Sequence, residues 1–264
     1  MAPRRQSNLD AAQTAAATQF NRQSDRYGRS HILADTSDVK EALKAVPAPH
    51  GARALDVATG GGHTALCLAR RGWRVTAGDI SQRMLDNAGT LLREEGFELE
   101  TALFPAEKIP FADATFGLVA ARVAPHHFSS PERFVAEAAR VLAPGGHFLL
   151  IDGSVPDADP ETEEWLHRVE TWRDPSHGRF LSRASWEELV SRHGLHLVSS
   201  ALFRKKQPDL HWYFETAATP AENRERVRAA VSEAPEGVRR ALRLGVEEGK
   251  IVWWWPMLRL IARK

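Results

Sequence analysis

The chain has one cysteine in 264 residues, so neither a disulfide nor a cysteine-built metal cluster can form, and a reducing cytoplasm suits it. Neither sign of charge is in excess: 35 basic against 34 acidic residues leave a formal net charge of +1. No global field therefore draws the protein to nucleic acid or to an anionic membrane. Arginines are dense around residues 224–243, where interleaved glutamates (Glu222, Glu225, Glu233, Glu236) predict a solvated helix face rather than a polyanion-binding patch. No stretch approaches the roughly 18 consecutive apolar residues of a membrane span. The opening "MAPRRQSNLDAAQTAAATQF" lacks the apolar core of a signal peptide and predicts a polar tail leading into a helix. What is present is 43% hydrophobic and 26% charged, an ordinary soluble composition able to bury a core. The length allows one large α/β domain with decorations, or two small domains.

Residues 52–152 alternate short apolar runs with helical patterns. "RALDVA" reads as a strand and "HTALCLARRG" as a helix ended by Gly72. "WRVTAGD" is a second strand, followed by "SQRMLDNAGTLLREEG", a helix capped by Ser81 and stopped at Gly96. "LETALF", "FGLVAAR" and "GHFLLID" supply three more strands. Between the last two, Ser130 is placed as an N-cap and Pro131 at a helix start, with Phe134, Val135, Ala138, Val141 and Leu142 on one apolar face. Apolar strands alternating with helices predict a parallel sheet covered on both faces. After Asp152 the regularity breaks. A helix is expected around residues 161–171, another in "SRASWEELVSRHG" capped by Ser185, and a strand in "LHLVSSALF". A polar helical segment over 205–249 and a last strand in "GKIVWWWPMLRLIARK" complete the chain. Trp253, Trp254 and Trp255 cannot all face one side of that strand. One face must be covered, by the late insertions or by a second copy of the chain in a homodimer.

The glycines of "DVATGGGHT" stand at the first strand-to-helix turn, where open α/β sheets receive ligands. Gly60, Gly62 and Ala65 satisfy the loose G-x-G-x-x-A dinucleotide pattern, whereas a phosphate loop is excluded because no Lys-Ser or Lys-Thr follows. Asp79 ends the second strand, where a carboxylate accepts hydrogen bonds from both ribose hydroxyls of an adenosine-bearing cofactor. That much fits NAD and S-adenosylmethionine (SAM) alike. Asp56 separates them. It lies inside the first strand, where a buried carboxylate needs a partner, and SAM supplies one that NAD lacks, an ammonium met directly or through an amide network leading to it. "LFPAEKIPF", after the third strand, is placed to border an adenine ring, and "RVLAPGGHFLL" joins a helix to the fifth strand through Pro-Gly-Gly.

Together, "LDVATGGGHT", "VTAGDIS", "AEKIPF", "ARVAPHHF" and "ARVLAPGGHFLLID" resemble the class I SAM-dependent methyltransferases. The resemblance covers about residues 15–205 and is narrower toward the small-molecule group that includes the ubiquinone/menaquinone C-methyltransferases. It implies an α/β fold: a Rossmann-like seven-stranded sheet with helices on both faces, an antiparallel final strand and late helical lid insertions. The implied organisation is a helical cap over 1–50, a SAM-binding core over 51–152 and a lid insertion over 153–184. Core completion over 185–203, a helical insertion over 204–249 and a final strand over 250–264 follow. SAM is the implied cofactor, with Asp56, Ala58, Thr59, Gly60 and Gly62 toward its methionine part and Asp79 on the ribose. Ile80 would cover one adenine face, Ala106 and Glu107 would border its edge, Arg122 would begin the loop beneath the sulfonium, and Tyr27 would close over the cofactor. Ala58 stands where the family most often has its first glycine, and Pro105 where an aspartate commonly receives the adenine amino group.

Methyl transfer from a sulfonium is an in-line displacement of an already activated group. Positioning supplies most of the acceleration, and a base is needed only where the acceptor loses a proton. His126 and His127 follow the fourth strand, on the loop nearest the methyl group in this architecture. They and His177 in "TWRDPSHGRF" are the candidate catalytic bases, a role that suits histidine near neutral pH. Each has a plainer alternative: a packed or capping histidine, or, for Arg173, Asp174 and His177, a helix-ending turn with a surface Arg–Asp pair. Trp172 and Arg173 are candidate substrate contacts, with Trp165, Phe203, Trp212 and Phe214 as aromatic surroundings. No third ligand has metal-site spacing to the histidine pair, so no metal is expected. The expected partner is a small, aromatic or apolar acceptor, methylated at carbon or oxygen in preference to nitrogen. Nucleic acid is disfavoured, because "RVAPHHF" stands where amino-methylating nucleic-acid enzymes carry an Asn/Asp-Pro-Pro-Tyr-type loop. The alternatives are a SAM-binding enzyme that uses the cofactor's charge for another reaction, such as a cyclisation, and, remotely, an NAD(P)-dependent oxidoreductase.

Overall fold

In the computed structural model, which describes residues 9–27, 31–47 and 51–264, the alanine-rich amino-terminal run is helix α1 (Ala11–Tyr27). The short helices α2 (His31–Ala34) and α3 (Ser37–Ala42) follow. The alternating core runs β1 (Arg53–Val57), α4 (His63–Arg70), β2 (Arg74–Asp79), α5 (Gln82–Glu94), β3 (Glu100–Leu103), β4 (Phe116–Arg122), α6 (Pro131–Val141) and β5 (Leu142–Val155). The remainder is α7 (Pro160–Arg173), β6 (Leu181–Ser182), α8 (Arg183–Arg192), β7 (His196–Gln207), α9 (Leu210–Ala217), α10 (Ala221–Ser232), α11 (Glu236–Leu242), β8 (Gly245–Glu247) and β9 (Lys250–Arg263).

The sheet order is β3-β2-β1-β4-β5-β9-β7, with β6 and β8 as short additions on β5 and β9. β1 lies between β2 and β4, parallel to both. Strand order reverses there, so the connections leave toward opposite faces and open a crevice at the carboxyl ends. β9 is antiparallel to both β5 and β7. These are the seven strands and the antiparallel final strand that the resemblance implied.

The central strands are apolar throughout because both faces are covered. Leu55, Val57 and Val119 join one layer with Phe134 and Trp186, while Ala54, Leu118 and Leu149 join the other with Leu68 and Leu92. At about 1.5–3 kcal/mol for each fully buried large aliphatic side chain, these two layers outweigh helix propensity in holding the frame. Ser81 and Ser130 cap α5 and α6 as expected, accepting from the N–H groups of Met84 and Arg133. At α8 the cap is Ser182 rather than Ser185: the helix begins at Arg183, and the Ser182 hydroxyl accepts from the Ser185 N–H at 3.2 Å.

Strands β5 and β9 are 14 residues each. β5 does not stop at Asp152 but continues to pair with β6, and Gly153 has no Cβ because one there would stand 2.1 Å from the Phe180 ring. The first half of β9 pairs with β8 and with the last residues of β7. Helices α7, α9, α10 and α11 pack on these extensions around Trp165, Tyr213, Phe214 and Trp253, forming a third apolar layer, the lid. Trp253 and Trp255 turn toward it, while Trp254 lies beneath Lys206, 5.9 Å from its ring.

Candidate active site

The loops at the carboxyl ends of β1 to β4 meet α1 around a cavity that is partly open to solvent. The chain leaves β1 through left-handed backbone at Ala58 (φ 55°), Gly60 (φ 52°) and Gly62 (φ 84°). This turn presents Ala58, Thr59, Gly60 and Gly61 to the cavity. Gly62 has another task and does not line it. A Cβ on Gly62 would stand 2.8 Å from the Ala88 Cα, so its place is set by the approach of the α4 start to α5.

Asp79 lines the cavity at the end of β2. One of its oxygens accepts from the Gly60 N–H at 3.0 Å and the other from the Ser81 N–H at 2.9 Å, while burial pushes its carboxyl up to about 6. Asp56 lies deeper, outside the lining. Its partner is internal: the Thr59 hydroxyl donates to it at 2.7 Å, and burial pushes the carboxyl up to about 7. Ile80, Ala106 and Glu107 line the cavity as expected from their positions. Glu107 also fastens two elements, accepting from the Gln13 amide at 2.8 Å and the Ser129 hydroxyl at 3.0 Å. Arg122 lines the cavity, but its guanidinium is engaged with Asp38 at 3.0 Å and the Leu33 carbonyl at 2.9 Å, holding α2 and α3 to the end of β4. Tyr27 ends α1, and its side chain lies outside the described residues.

After β4 the chain passes through Val123 at φ 51°, a strained conformation for a β-branched residue, into a single 3₁₀ turn at Pro125–His127. His127 lines the cavity. Its Nδ1 donates to the Ser176 carbonyl at 2.9 Å, which leaves Nε2 as the acceptor of the neutral ring. His126 does not line the cavity; its Nδ1 lies 2.7 Å from an Asp152 oxygen. Burial drives His126 well below the ordinary histidine value and pushes Asp152 up to about 8, so the pair holds one proton and no net charge near neutral pH. His177 packs against His126, centroids 5.4 Å apart, and burial with the neighbouring His126 keeps it neutral.

The lid turn "DPSHGRF" clasps this loop. The N–H groups of Gly178 and Arg179 both donate to the His126 carbonyl, at 2.8 and 3.1 Å, and the Ser176 carbonyl takes His127. The plainer alternative, a surface Arg–Asp pair, does not describe this turn among the described residues, since Arg173 and Asp174 are both largely buried. Arg173 pairs with Glu170 at 3.2 Å and stacks over Tyr213 at 4.5 Å, because Glu170 is buried one turn earlier on the same helix; Asp174 is buried separately. Arg173 and Trp172 therefore belong to the lid's own packing and not to the cavity wall, as do Trp165, Trp212 and Phe214. Phe203 packs instead on a central layer. Among the described residues no group of three or more His, Cys, Asp or Glu is arranged to hold a metal ion, and no helix is long and apolar enough to cross a membrane.

Residues that sequence reasoning did not single out come mainly from α1, which contributes Gln13, Ala16 and Phe20 to the wall. They recur at helical spacing, but alanine and polar neighbours dilute the pattern. Met84, Phe104 and Phe128 add apolar wall from stretches already marked by their neighbours.

Residues 55–150 match a family described as Methyltransferase domain. The chain is 32% identical over 179 residues to the methyltransferase YcgJ of Bacillus subtilis, covering 67% of this chain and 70% of that one. It is 33% identical over 141 residues to a demethylmenaquinone methyltransferase of Tropheryma whipplei, spanning 52% of this chain and 58% of the relative. The fold superposes on a methyltransferase crystal structure from Bacillus halodurans with a TM-score of 0.81 at 29% identity, covering 86% of this chain and 99% of that one.

Proposed function

The chain belongs to the methyltransferase family, and from that premise we propose that it transfers the methyl group of SAM to a small, uncharged, apolar or aromatic acceptor, at oxygen or at an enol-like carbon. SAM, when bound, supplies an already activated methyl group. The residues present fit it: Asp79 offers a carboxylate suited to ribose hydroxyls, and the left-handed turn bares the backbone of residues 58–61 for close approach. Ile80, Met84 and Ala106 offer apolar surface suited to a purine. Gln13 beside Glu107 offers polar groups near the position where Pro105 removes the usual aspartate. Asp56 reaches the cavity indirectly, through the Thr59 hydroxyl that donates to it, which suits a polar network leading to the cofactor ammonium more than direct contact with it.

The observation that carries the reading is a single cavity with two kinds of wall. On the β2 side lie Asp79 and the glycine turn; on the β4 side lie Phe20, Leu33, Val123, Ala124 and His127. The β4 side offers apolar surface and one imidazole, and its one arginine, Arg122, is engaged elsewhere, which suits an uncharged acceptor. His127, with Nε2 unprotonated, is the group placed to take a proton as methyl transfer proceeds, and it orients a hydroxyl or enol before that. The Tropheryma whipplei relative, named for demethylmenaquinone, supports a small-molecule acceptor.

Calorimetry with S-adenosylhomocysteine (SAH), SAM and NADH tests the cofactor end, and mass spectrometry of a phenol, quinol and enol panel tests the acceptor end. Binding of SAM and SAH with a 14 Da product gain is expected; tight NADH binding without a response to SAM or SAH would sink the reading. Asp79→Ala should weaken SAH binding about 10–100-fold, the worth of hydrogen bonds to a charged group. An unchanged affinity would remove Asp79 from the ribose.

A further inference from the structure

The lid turn after α7 places a carboxylate behind His127. Asp174 is buried, and its Oδ1 accepts from the Ser176 N–H at 2.9 Å, the Ser176 hydroxyl at 2.7 Å and, at 3.4 Å, the Gln19 amide. The same hydroxyl oxygen lies 3.2 Å from His127 Nδ1, and the Ser176 carbonyl lies 2.9 Å from that nitrogen. A hydroxyl has one proton. With it donated to Asp174, the Ser176 oxygen turns lone pairs toward Nδ1, so two acceptors converge on the Nδ1–H. We infer that Asp174, acting through Ser176, is a positioning residue that holds His127 in its Nδ1–H tautomer and stabilises the imidazolium formed when Nε2 takes up a proton.

The surroundings leave this task to Asp174. Burial alone would raise its carboxyl, yet the charge of His127 and the Ser176 hydrogen bonds outweigh burial and hold it below the ordinary value. From its own loop His127 faces His126, centroids 4.1 Å apart, which is bound to Asp152 of β5 in a pair of no net charge. From the lid it faces His177 at 6.4 Å, kept neutral by burial, with His167 of α7 beyond it. Arg173 is tied to Glu170, and Phe20 closes the α1 side. Among the described residues that face it, Asp174 is the anion available to answer a charge on His127.

The inference rests on the reading of His127 as the proton acceptor, but it makes a separate claim about tautomer and charge that needs no turnover. Long-range ¹H–¹⁵N spectra of the full chain, histidine-labelled and free of ligand, read both. The parent should show the Nδ1–H tautomer at His127. In Asp174→Asn the titration midpoint of that ring should fall by roughly one pH unit, the usual size of a lost opposite charge, and the tautomers should mix. Ser176→Ala should give a smaller shift in the same direction, and Ser176→Thr should restore the parent behaviour. In turnover, Asp174→Asn should lower kcat roughly tenfold, leave the KM for SAM within about twofold, and move the acid limb of the kcat profile to lower pH. A merely structural loss would leave that limb in place.

An unchanged tautomer and midpoint in Asp174→Asn would overturn the inference whatever the activity. If that variant fails to fold, Ser176→Ala decides, and an unmoved midpoint there overturns the route through the hydroxyl. A moved midpoint together with full turnover in His127→Ala upholds the inference and overturns instead the assignment of His127 as base.

Discussion

Ala58 and Val123 sit in left-handed backbone, and both line the cavity. A side chain there costs about 1–2 kcal/mol, and glycine would return about 0.5–1 kcal/mol of that in chain entropy. Ala58→Gly should therefore stabilise the free protein by roughly 0.5–1 kcal/mol, with SAH affinity unchanged. Urea denaturation reads the first and calorimetry the second; a less stable variant would refute the strain. Gly62→Ala should destabilise by roughly 1–3 kcal/mol, because its Cβ would press on the Ala88 backbone. Asp79 was legible because it ends a strand, and His127 because it stands on the loop that follows one, where the carboxyl ends converge. Gly62 was read together with Gly60 because a glycine that admits a ligand and one that admits a helix look alike in sequence.

At the scale of elements, alternating strands and helices were readable because their periods differ, and the caps at Ser81 and Ser130 were readable because side chain and first turn are neighbours. The destinations of α1 and α7 were not. Gln13, Ala16 and Phe20 acquire their meaning only when α1 crosses the crevice, and Arg173, paired with Glu170 on its own helix, finds Tyr213 and Trp255 only once α7, α9 and β9 have packed. α1 is anchored at one end by Gln13 on Glu107 and along its length by Asn21, whose side chain accepts from the Ser81 hydroxyl at 2.7 Å. Glu107→Ala should loosen that first anchor and raise the SAH dissociation constant about 2–10-fold, the equivalent of one ordinary hydrogen bond. Unchanged SAH binding and release in stopped-flow would show that α1 takes no part in holding the ligand.

For the whole molecule, the buried carboxyls make the free fold sensitive to mild alkali. Asp56 and Asp152 are raised from 3.8 to about 7 and about 8, so above pH 6.5 the folded state still binds protons that the unfolded state has released. Stability therefore falls as pH rises through that window, by on the order of 1 kcal/mol per pH unit for each proton retained. His126, His147 and His177 are lowered from 6.5 and act the opposite way, but only below that value. Urea midpoints at pH 6.5 and 8 should differ in the parent and differ less in Asp152→Asn, which keeps the Asp56 contribution; equal parent midpoints would refute the buried-proton account. A last consequence follows from β5 and β9, which run unbroken from sheet to lid. A lid carried on two such beams is a cantilever and not a door. Among the described residues it supplies no side chain to the cavity wall and meets the site through the turn that grips residues 126–127. It acts there as a buttress, so reshaping the cavity calls for trimming side chains on α1 and the strand-end loops, not for loosening a hinge.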